Sequence, residues 1–435
     1  MTTDNWQQFK ELFQAALELP TEARPAYLDR VCTEPSSRAE LEALLLCYEH
    51  PPDGIDEPIA AKETEKSNRA ETAQNDPLIE SFMDHYQIVE KVGHTGPAAE
   101  YLAVRLNDPG LTPVVIMIVK TTTRAAEFLL SFKKERLALM NLRHPNIASF
   151  LDAGITRDGL PYLAMEYIEG LPVNEYCDSN RLNTHSRIKL FMEVCGAVQC
   201  AHQHFIAHSG INPKSVLATK NGSPKLVDLG IVDLLNQELR VQGGLTAALK
   251  QRDLEYVSLE QIRGEPATTV DDVYSLGVLL YQLLTGHSPY RINDGKQDEL
   301  VPPIFEAIKP SKVLGKVVEQ AGRDGQKITI TPHVLTSCRN EPIASVRRLL
   351  TGDLDSILLK AISRDSSKRY TSVEQFSGDL RCYLEGRPVS SRKNTFLYRS
   401  SKFIRMYKFA MIAAACLTTA VLVALTIIFE GLLRR

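Results

Sequence analysis

Residues 208 to 218 read HSGINPKSVLA, and the side chains they offer for chemistry are one histidine, one asparagine, one lysine and two serines. The glycine and proline in this stretch indicate a loop. The next carboxylate along the chain is Asp228, in the sequence KLVDLG. A lone carboxylate is a weak magnesium site, and a nucleophile needs a base beside it. These residues therefore predict little chemistry by themselves.

The overall composition excludes several classes of protein. A chain of 435 residues has room for about two or three domains. Its net charge of −3 argues against a general nucleic-acid binder, which concentrates lysine and arginine. The eight cysteines form no CxxC pair and no cluster with histidines, so we expect reduced, structural thiols rather than a zinc site or disulfides. The first residues, MTTDNWQQFKELFQ, do not resemble a secretory signal.

The first 80 residues divide into two parts. Residues 1–50 show helical periodicity interrupted by prolines, and they predict a small helical domain. Residues 51–80 are polar and rich in proline and acidic side chains, which is typical of a linker.

The middle of the chain predicts an α+β unit with two lobes. From residue 84, the runs YQIVEKVG, AEYLAVRL and VVIMIVK are typical of strands. A helix is expected at about 124–142, a further strand at YLAMEYIE, and mostly helix after residue 185. Strands followed by helices favour a β-rich small lobe and a helical large lobe.

The C-terminal part predicts one membrane span. Residues 409–429 contain 21 residues without a charge, enough for a helix of ~30 Å that matches the hydrocarbon thickness. Residues 387–408 are basic, which would keep the preceding domain in the cytoplasm and allow contact with membrane lipid. A short tail, 430–435, follows. We therefore expect a single-pass membrane protein.

Several separated motifs in residues 84–386 resemble the protein kinase fold, specifically that of the membrane-anchored bacterial Ser/Thr kinases of eukaryotic type. ERLALMNLRHPNI, with Glu135, resembles the small-lobe helix, and LPYLAMEYIEG resembles the hinge. KLVDLG resembles the metal-binding turn, and DDVYSLGVLLYQLLTG the central large-lobe helix. The resemblance implies a small lobe at 84–168 and a large lobe at 169–386.

The resemblance also implies that parts of the nucleotide site are replaced. The glycine-rich loop falls on Gly93, Thr95, Ala98 and Glu100, with Gly96 and Pro97 between them. Only the first glycine of the pattern remains, and Glu100 stands where the family has an apolar residue against adenine. Met117 stands where the family has the lysine that binds the α and β phosphates. We expect Met117 to be a core residue.

The opening loop aligns with the family's catalytic loop, HRDxKPxN. Gly210 then replaces the catalytic aspartate, Asn212 the lysine that steadies the transferred phosphate, and Ser215 the asparagine that binds the second magnesium. His208 remains, as a core residue by expectation. Asp228 and Glu135 also remain as in the family.

The end of the activation segment shows a related loss beside retained scaffold contacts. RDLEYVSLE places Asp253 and Leu259 where the family pattern TPEYASPE has threonine and the last proline. By contrast, the resemblance implies that Glu260 pairs with Arg369 and that Asp272 holds the catalytic-loop backbone.

We therefore expect a catalytically inactive kinase-like protein, a pseudokinase, acting as a scaffold or allosteric regulator without a cofactor. Expected partners are proteins, such as active Ser/Thr kinases or membrane signalling complexes, and membrane lipid, with no nucleic acid. Two alternatives stay open: an atypical Ser/Thr kinase that uses ATP, and a nucleotide sensor without turnover. Both would use Mg²⁺ at Asp228 and the remaining nucleotide contacts, which are Gly93, Gly96, Glu135, Met165, Glu166 and Leu217.

Overall fold

The structure is a computed structural model that describes Ala16, Leu19, 24–31, Arg38, Asp76, 78–79, 81–83, 85–95, 98–106, 111–119, 139–231, 254–290, 307–314, 318–321, 327–330, 332–393, 395–406 and 416–423. Within the predicted N-terminal helical segment, helix α1 (Arg24–Val31) is described, and its Leu28 is buried. The sites predicted at Gly96, Glu135 and Asp253 lie outside the described residues.

The small lobe is built on one antiparallel sheet of six strands. Its strands are β1 (Phe82–Met83), β2 (Tyr86–Thr95), β3 (Ala98–Arg105), β4 (Pro113–Val119), β5 (Phe150–Ile155) and β6 (Pro161–Glu166). Their order in the sheet is β1-β2-β3-β4-β6-β5. The four strands predicted from the apolar runs correspond to β2, β3, β4 and β6, so the β-rich small lobe is confirmed.

The two faces of this sheet have different neighbours, because successive strand residues point to opposite sides. One face carries a separate apolar cluster that includes Tyr86, Tyr101 and Ile116. The other face carries Met117 and Val119, which belong to the same apolar cluster as the large-lobe helices. Residues on this second face of β3 and β4 therefore look toward the large lobe.

The large lobe contains most of the helices. Its elements are β7 (Gly170–Pro172), α2 (Val173–Ser179), α3 (Thr184–Gln203), β8 (Val216–Thr219), β9 (Pro224–Leu226), α4 (Leu259–Ile262), α5 (Thr269–Thr285), α6 (Pro310–Val313), β10 (Val318–Ala321), β11 (Lys327–Ile330), α7 (Pro332–Arg339), α8 (Ile343–Leu349), α9 (Asp355–Ala361), α10 (Val373–Leu384) and α11 (Phe396–Met406). Helices α3, α9 and α10 pack against α5, which is buried along nearly its whole length.

Capping groups fix both ends of α5. At its start, the backbone N–H and the hydroxyl of Thr268 donate to Asp271 at 2.7 and 2.8 Å. At its end, Gly286 takes the left-handed conformation, with φ +71°. The buried side chains of Arg187 and Arg339 donate to the carbonyl of Leu283 at 3.1 and 3.3 Å. Two cations thus meet the carbonyl end of the helix, where they are favourable.

The expectation of mostly helix after residue 185 is confirmed for the described residues, although short strands lie among the helices. β8 and β9 form a three-stranded sheet with β7, and β10 pairs with β11 as an antiparallel hairpin. These strands have three or four residues each, which is too short for an alternating pattern to be recognised. The strands of this hairpin, Val318–Ala321 and Lys327–Ile330, lie in the large lobe, where the sequence analysis predicted no strand.

The predicted span at 409–429 is mostly outside the described residues. Residues 416–423 are helical, and their apolar side chains are exposed. Among the described residues, no helix combines the length and the apolar character that crossing a membrane requires.

Candidate functional site

The loop at residues 208–215 lies between α3 and β8, and a buried carboxylate from α5 fixes its first half. Asp272 accepts hydrogen bonds from the backbone N–H groups of His208 and Ser209, each at 2.8 Å. The ring nitrogen Nε2 of His202 lies 2.7 Å from the same carboxylate. Hydrogen bonds of this kind stabilise a buried anion. The predicted role of Asp272 in holding the loop is confirmed.

His208 is part of the core rather than an exposed base. Its side chain is buried, and Nε2 donates to the carbonyl of Val227 at 2.9 Å. Burial lowers the pKa of His208, so the imidazole is neutral at pH 7. The sequence-based expectation of a packing role is confirmed.

The second half of the loop uses its polar side chains locally. Asn212 Oδ1 accepts from the backbone N–H groups of Lys214 and Ser215 at 2.8 and 3.1 Å. The Ser215 hydroxyl, in turn, accepts from the backbone N–H of Asn212 at 3.0 Å. This reciprocal capping box starts a 3-10 turn at Pro213–Ser215. Asn212 and Ser215 stand where the family has its phosphate-binding lysine and its magnesium-binding asparagine. The side-chain oxygens of both residues are therefore hydrogen-bonded within the loop.

Gly210 sits in the middle of this loop, between the part held by Asp272 and the capped turn. It is partly buried and has no side chain that accepts a proton. The side-chain amide of Gln261 donates to the carbonyl of the preceding residue, Ser209, at 3.2 Å and so helps to fix the backbone beside Gly210.

Met117 lies on β4 with its side chain fully buried. It pairs with Glu100 on β3 and with Leu163 on β6. Its apolar cluster includes Leu163 on the same sheet and Leu229 next to Asp228. The expectation that Met117 is a core residue is confirmed.

Glu100 lies near the start of β3, on the same face as Ala98, which belongs to the apolar cluster shared with the large lobe. It pairs with Gly93 on β2 and with Met117 on β4. A Cβ atom at Gly93 would lie 3.6 Å from Glu100 Oε2, so the carboxylate extends over the backbone of β2. The side chain is partly buried.

Asp228 follows β9 at the start of a turn with two left-handed residues, since its φ is +61° and that of Gly230 is +70°. Burial and, as the smaller cause, the negative charge of Glu100 together raise the pKa of Asp228 to about 7. The carboxylate of Glu100, on the opposite lobe, therefore interacts electrostatically with Asp228. Such a pair suits a proton or a cation and opposes a bound polyanion.

The predicted hinge residues Met165 and Glu166 lie at the end of β6. Met165 is buried, whereas the carboxylate of Glu166 bridges the lobes. It accepts from the backbone N–H of Ser149 at 2.9 Å and from Lys225 Nζ on β9 at 3.1 Å. Burial opposes ionisation of Glu166, but these hydrogen bonds outweigh it and lower its pKa. Leu217 lies on β8, where it pairs with Lys225.

The scaffold contacts near the end of the activation segment are intact. Arg369 donates to Glu260 at 2.8 Å, as the resemblance implied, and its other terminal nitrogen lies 3.7 Å from Asp271. Ser258 donates to Asp271 at 2.6 Å. This network joins α4, α5 and the turn before α10.

Sequence reasoning missed two features of this site. The ion pair of Glu166 with Lys225 joins residues far apart in the chain, so no local pattern indicates it. The Asn-Pro-Lys-Ser cap, by contrast, has a readable signal, because asparagine before proline with serine three residues later matches a helix start. No group of three or more His, Cys, Asp or Glu side chains within the described ranges is arranged to hold a metal ion.

Comparison with known proteins agrees with this architecture. The family profile of the protein kinase domain matches residues 57–378. The chain is 27% identical over 307 residues to the probable serine/threonine-protein kinase PknB of Lactococcus lactis, covering 69% of this chain and 42% of the relative. It is 29% identical over 314 residues to the serine/threonine-protein kinase PrkC of Bacillus subtilis, covering 71% of this chain and 42% of the relative.

Among solved structures, the chain is similar to the kinase domain of Mycobacterium tuberculosis PknI, with 20% identity and a TM-score of 0.46. The match covers 70% of this chain and 98% of that domain. The chain spans less than half the length of the curated relatives above. From the family profile and these relatives, the chain belongs to the protein kinase family, within its bacterial serine/threonine kinases of eukaryotic type.

Proposed function

We propose that this kinase-like domain binds other proteins without transferring phosphate, as a membrane-attached scaffold or allosteric regulator. The observation that carries this proposal is the composition of the face of β3 and β4 that is turned toward Asp228. That face presents the carboxylate of Glu100 and the apolar side chain of Met117.

The charges in this part of the cleft oppose ATP binding. Kinases neutralise the phosphates with a lysine and with magnesium held by carboxylates. Here Glu100 and Asp228 are both acidic, and the pKa of Asp228 is already raised to about 7 by burial and by Glu100. A polyanion placed between them would meet further negative charge at low dielectric, which is unfavourable.

The loop geometry supports the same conclusion about catalysis. Phosphoryl transfer needs a group that orients the attacking hydroxyl and accepts its proton. Gly210 has no such group, and the side-chain oxygens of Asn212 and Ser215 are bonded within the capped turn. The scaffold pairs Glu260–Arg369 and Asp272–Ser209 are nevertheless kept, which supports a function that needs the fold without its chemistry.

The proposed location is the bacterial inner membrane, with one span at 409–429 and the kinase-like domain in the cytoplasm. The apolar run and the basic residues before it support this location. The proposed partners are proteins, among them active Ser/Thr kinases or membrane signalling complexes, and membrane lipid.

A second candidate is an atypical Ser/Thr kinase, and the retained Asp228 turn favours it. A carboxyl group with a pKa of about 7 is partly ionised at neutral pH. A divalent cation that displaced its proton would supply charge for binding phosphate. A nucleotide sensor without turnover would use the same turn.

Phosphate transfer from radiolabelled ATP separates these candidates. The full-length chain in neutral detergent is incubated with ATP and Mg²⁺ or Mn²⁺, with casein as acceptor and Bacillus subtilis PrkC as positive control. We expect the chain and its Asp228→Ala variant to give the same background label. Label that Asp228→Ala abolishes would establish the atypical kinase. A nucleotide-dependent rise in melting temperature without label would establish the sensor.

A further inference from the structure

The segment after α10 is bound to the large lobe by a buried carboxylate of that helix. Asp379 accepts hydrogen bonds from the backbone N–H groups of Ser390 and Ser391 at 2.7 and 2.9 Å. The hydroxyl of Tyr370 donates to the same carboxylate at 2.8 Å. In addition, Ser356 donates to the Ser391 carbonyl at 2.8 Å. The chain therefore leaves α10 along a fixed path.

A second carboxylate then fixes α11 itself. Asp353, which is nearly buried, accepts from Arg392 Nη1 at 3.0 Å and from the Tyr398 hydroxyl at 3.0 Å. Lys402 Nζ lies 2.5 Å from its other oxygen. Two cations thus share one carboxylate, so this cluster keeps one excess positive charge. The contacts also determine which face of α11 turns away from the lobe.

The outer side of α11 borders a groove of about 600 Å³. Residues that line it include Gly386, Pro388, Phe396, Arg399, Lys402 and Ile404. Phe396 is 83% exposed and Ile404 is 51% exposed, so both leave apolar surface open to the groove. Arg399 is also exposed and forms no ion pair within the part of the chain that the structure describes.

The groove combines apolar walls with positive charge, which is the pattern that recognises an anionic amphiphile. A phosphate oxygen would take charge-assisted hydrogen bonds from Arg399 and from Lys402. Phe396 and Ile404 would contact apolar chains, as aromatic and aliphatic side chains do at the boundary of headgroups and acyl chains. Helix α11 ends at Met406, three residues before the predicted span begins at residue 409. That distance would place the groove at the membrane surface.

We propose that this groove binds an anionic phospholipid, with its phosphate at Arg399 and Lys402 and its upper acyl chain against Phe396 and Ile404. The inference rests on the proposed membrane attachment and goes beyond it. Because Asp353 and Asp379 hold α11 on the large lobe, the bound lipid would also orient the kinase-like domain on the membrane. The proposed lipid binding does not depend on whether the cleft between the lobes binds nucleotide.

Selective quenching by brominated lipid tests the proposal in the full-length chain. A variant with Trp6→Phe and Phe396→Trp has its only tryptophan in the groove. It is incorporated into two kinds of nanodisc with the same mixture of phosphatidylcholine and phosphatidylglycerol. In one kind only the phosphatidylglycerol is brominated, and in the other only the phosphatidylcholine. Arg399→Gln is compared with Arg399→Lys and with Lys189→Gln, which changes an exposed lysine on α3.

We expect brominated phosphatidylglycerol to quench the tryptophan beyond its share of the mixture. Arg399→Gln should abolish this preference, whereas Arg399→Lys and Lys189→Gln should keep it. Quenching in proportion to each lipid's share would overturn the groove proposal while leaving membrane attachment intact. So would an unquenched tryptophan whose emission changes with the number of chains per disc, which would indicate a second copy in the groove. A chain that does not enter either disc would contradict both proposals.

Discussion

Glu100 on β3 and Asp228 after β9 come from opposite lobes, and the charge of Glu100 adds to burial in raising the pKa of Asp228. The single acidic residue of the DLG turn is therefore held partly protonated at neutral pH, mainly by its burial and further by the charge of Glu100. This relationship separates the cleft from one built to hold phosphates, where cations surround the same position. It also gives the protein a measurable pH dependence.

Replacing Asp228 should change how stability depends on pH. The unfolded chain releases this proton near the ordinary pKa of 3.8, whereas the folded chain keeps it until about pH 7. Between these values the folded state binds more protons, so the free energy of unfolding falls as pH rises. Asp228→Asn removes this pH-dependent decrease in the free energy of unfolding. Its melting temperature, relative to that of the unmodified chain, should be higher at pH 8 than at pH 5.

The matched control for this measurement is Asp158→Asn, which changes an exposed carboxylate in the small lobe. It should give the same difference in melting temperature at both pH values. An Asp228→Asn difference that does not vary with pH would contradict the coupling to Glu100 and the effect of burial.

Truncating Met117 tests whether it serves the core. Met117→Ala removes a fully buried side chain between the sheet and the large lobe, and it should cost about 2–5 kcal/mol of stability. Met140→Ala truncates a methionine that is 40% exposed, and it should change stability by about 0.5 kcal/mol or less. Urea unfolding measures both. Equal small effects would show that Met117 does not support the interface between the lobes.

The buried ion pair of Arg369 with Glu260 should contribute more to stability than the exposed ion pair of Lys368 with Asp365. Arg369→Met leaves Glu260 and Asp271 without their buried cation, and it should cost about 3–5 kcal/mol. Lys368→Met removes an exposed pair with Asp365, and it should cost about 1 kcal/mol or less. Both variants are compared by urea unfolding. A small loss for Arg369→Met would contradict the structural role assigned to this network.

Substitutions at Asn212 test whether this side chain stabilises the loop as a cap. Asn212→Ala removes the acceptor for two backbone N–H groups and should cost about 0.5–2 kcal/mol. Asn212→Asp keeps the acceptor oxygen and should retain most of that stability. Melting temperatures of both variants test this order, and a destabilised Asn212→Asp with an unaffected Asn212→Ala would contradict the cap.

The sequence predicted the small-lobe strands well because their apolar residues alternate or run continuously, as in VVIMIV. The resemblance also implied the pair Glu260–Arg369 and the role of Asp272 in holding the catalytic-loop backbone, through motifs whose spacing the family fixes. The sequence did not indicate the short strands β8 and β9, since three or four residues carry no recognisable period.

Within the candidate site, the sequence identified Glu100 and Asp228 separately but not their interaction. They lie 128 residues apart, and only the packing of one lobe on the other brings their charges together. The pair of Glu166 with Lys225 was missed for the same physical reason. Local patterns report which face of an element is buried, whereas contacts between lobes depend on the whole fold.

Calorimetric titration of Mg-ATP into the full-length chain in neutral detergent tests the central claim most directly. The electrostatics of Glu100 and Asp228, with Met117 in the core, predict no saturable heat at millimolar nucleotide, while PrkC of Bacillus subtilis serves as the positive control. Saturable binding that Asp228→Ala abolishes would contradict the claim that this cleft excludes nucleotide.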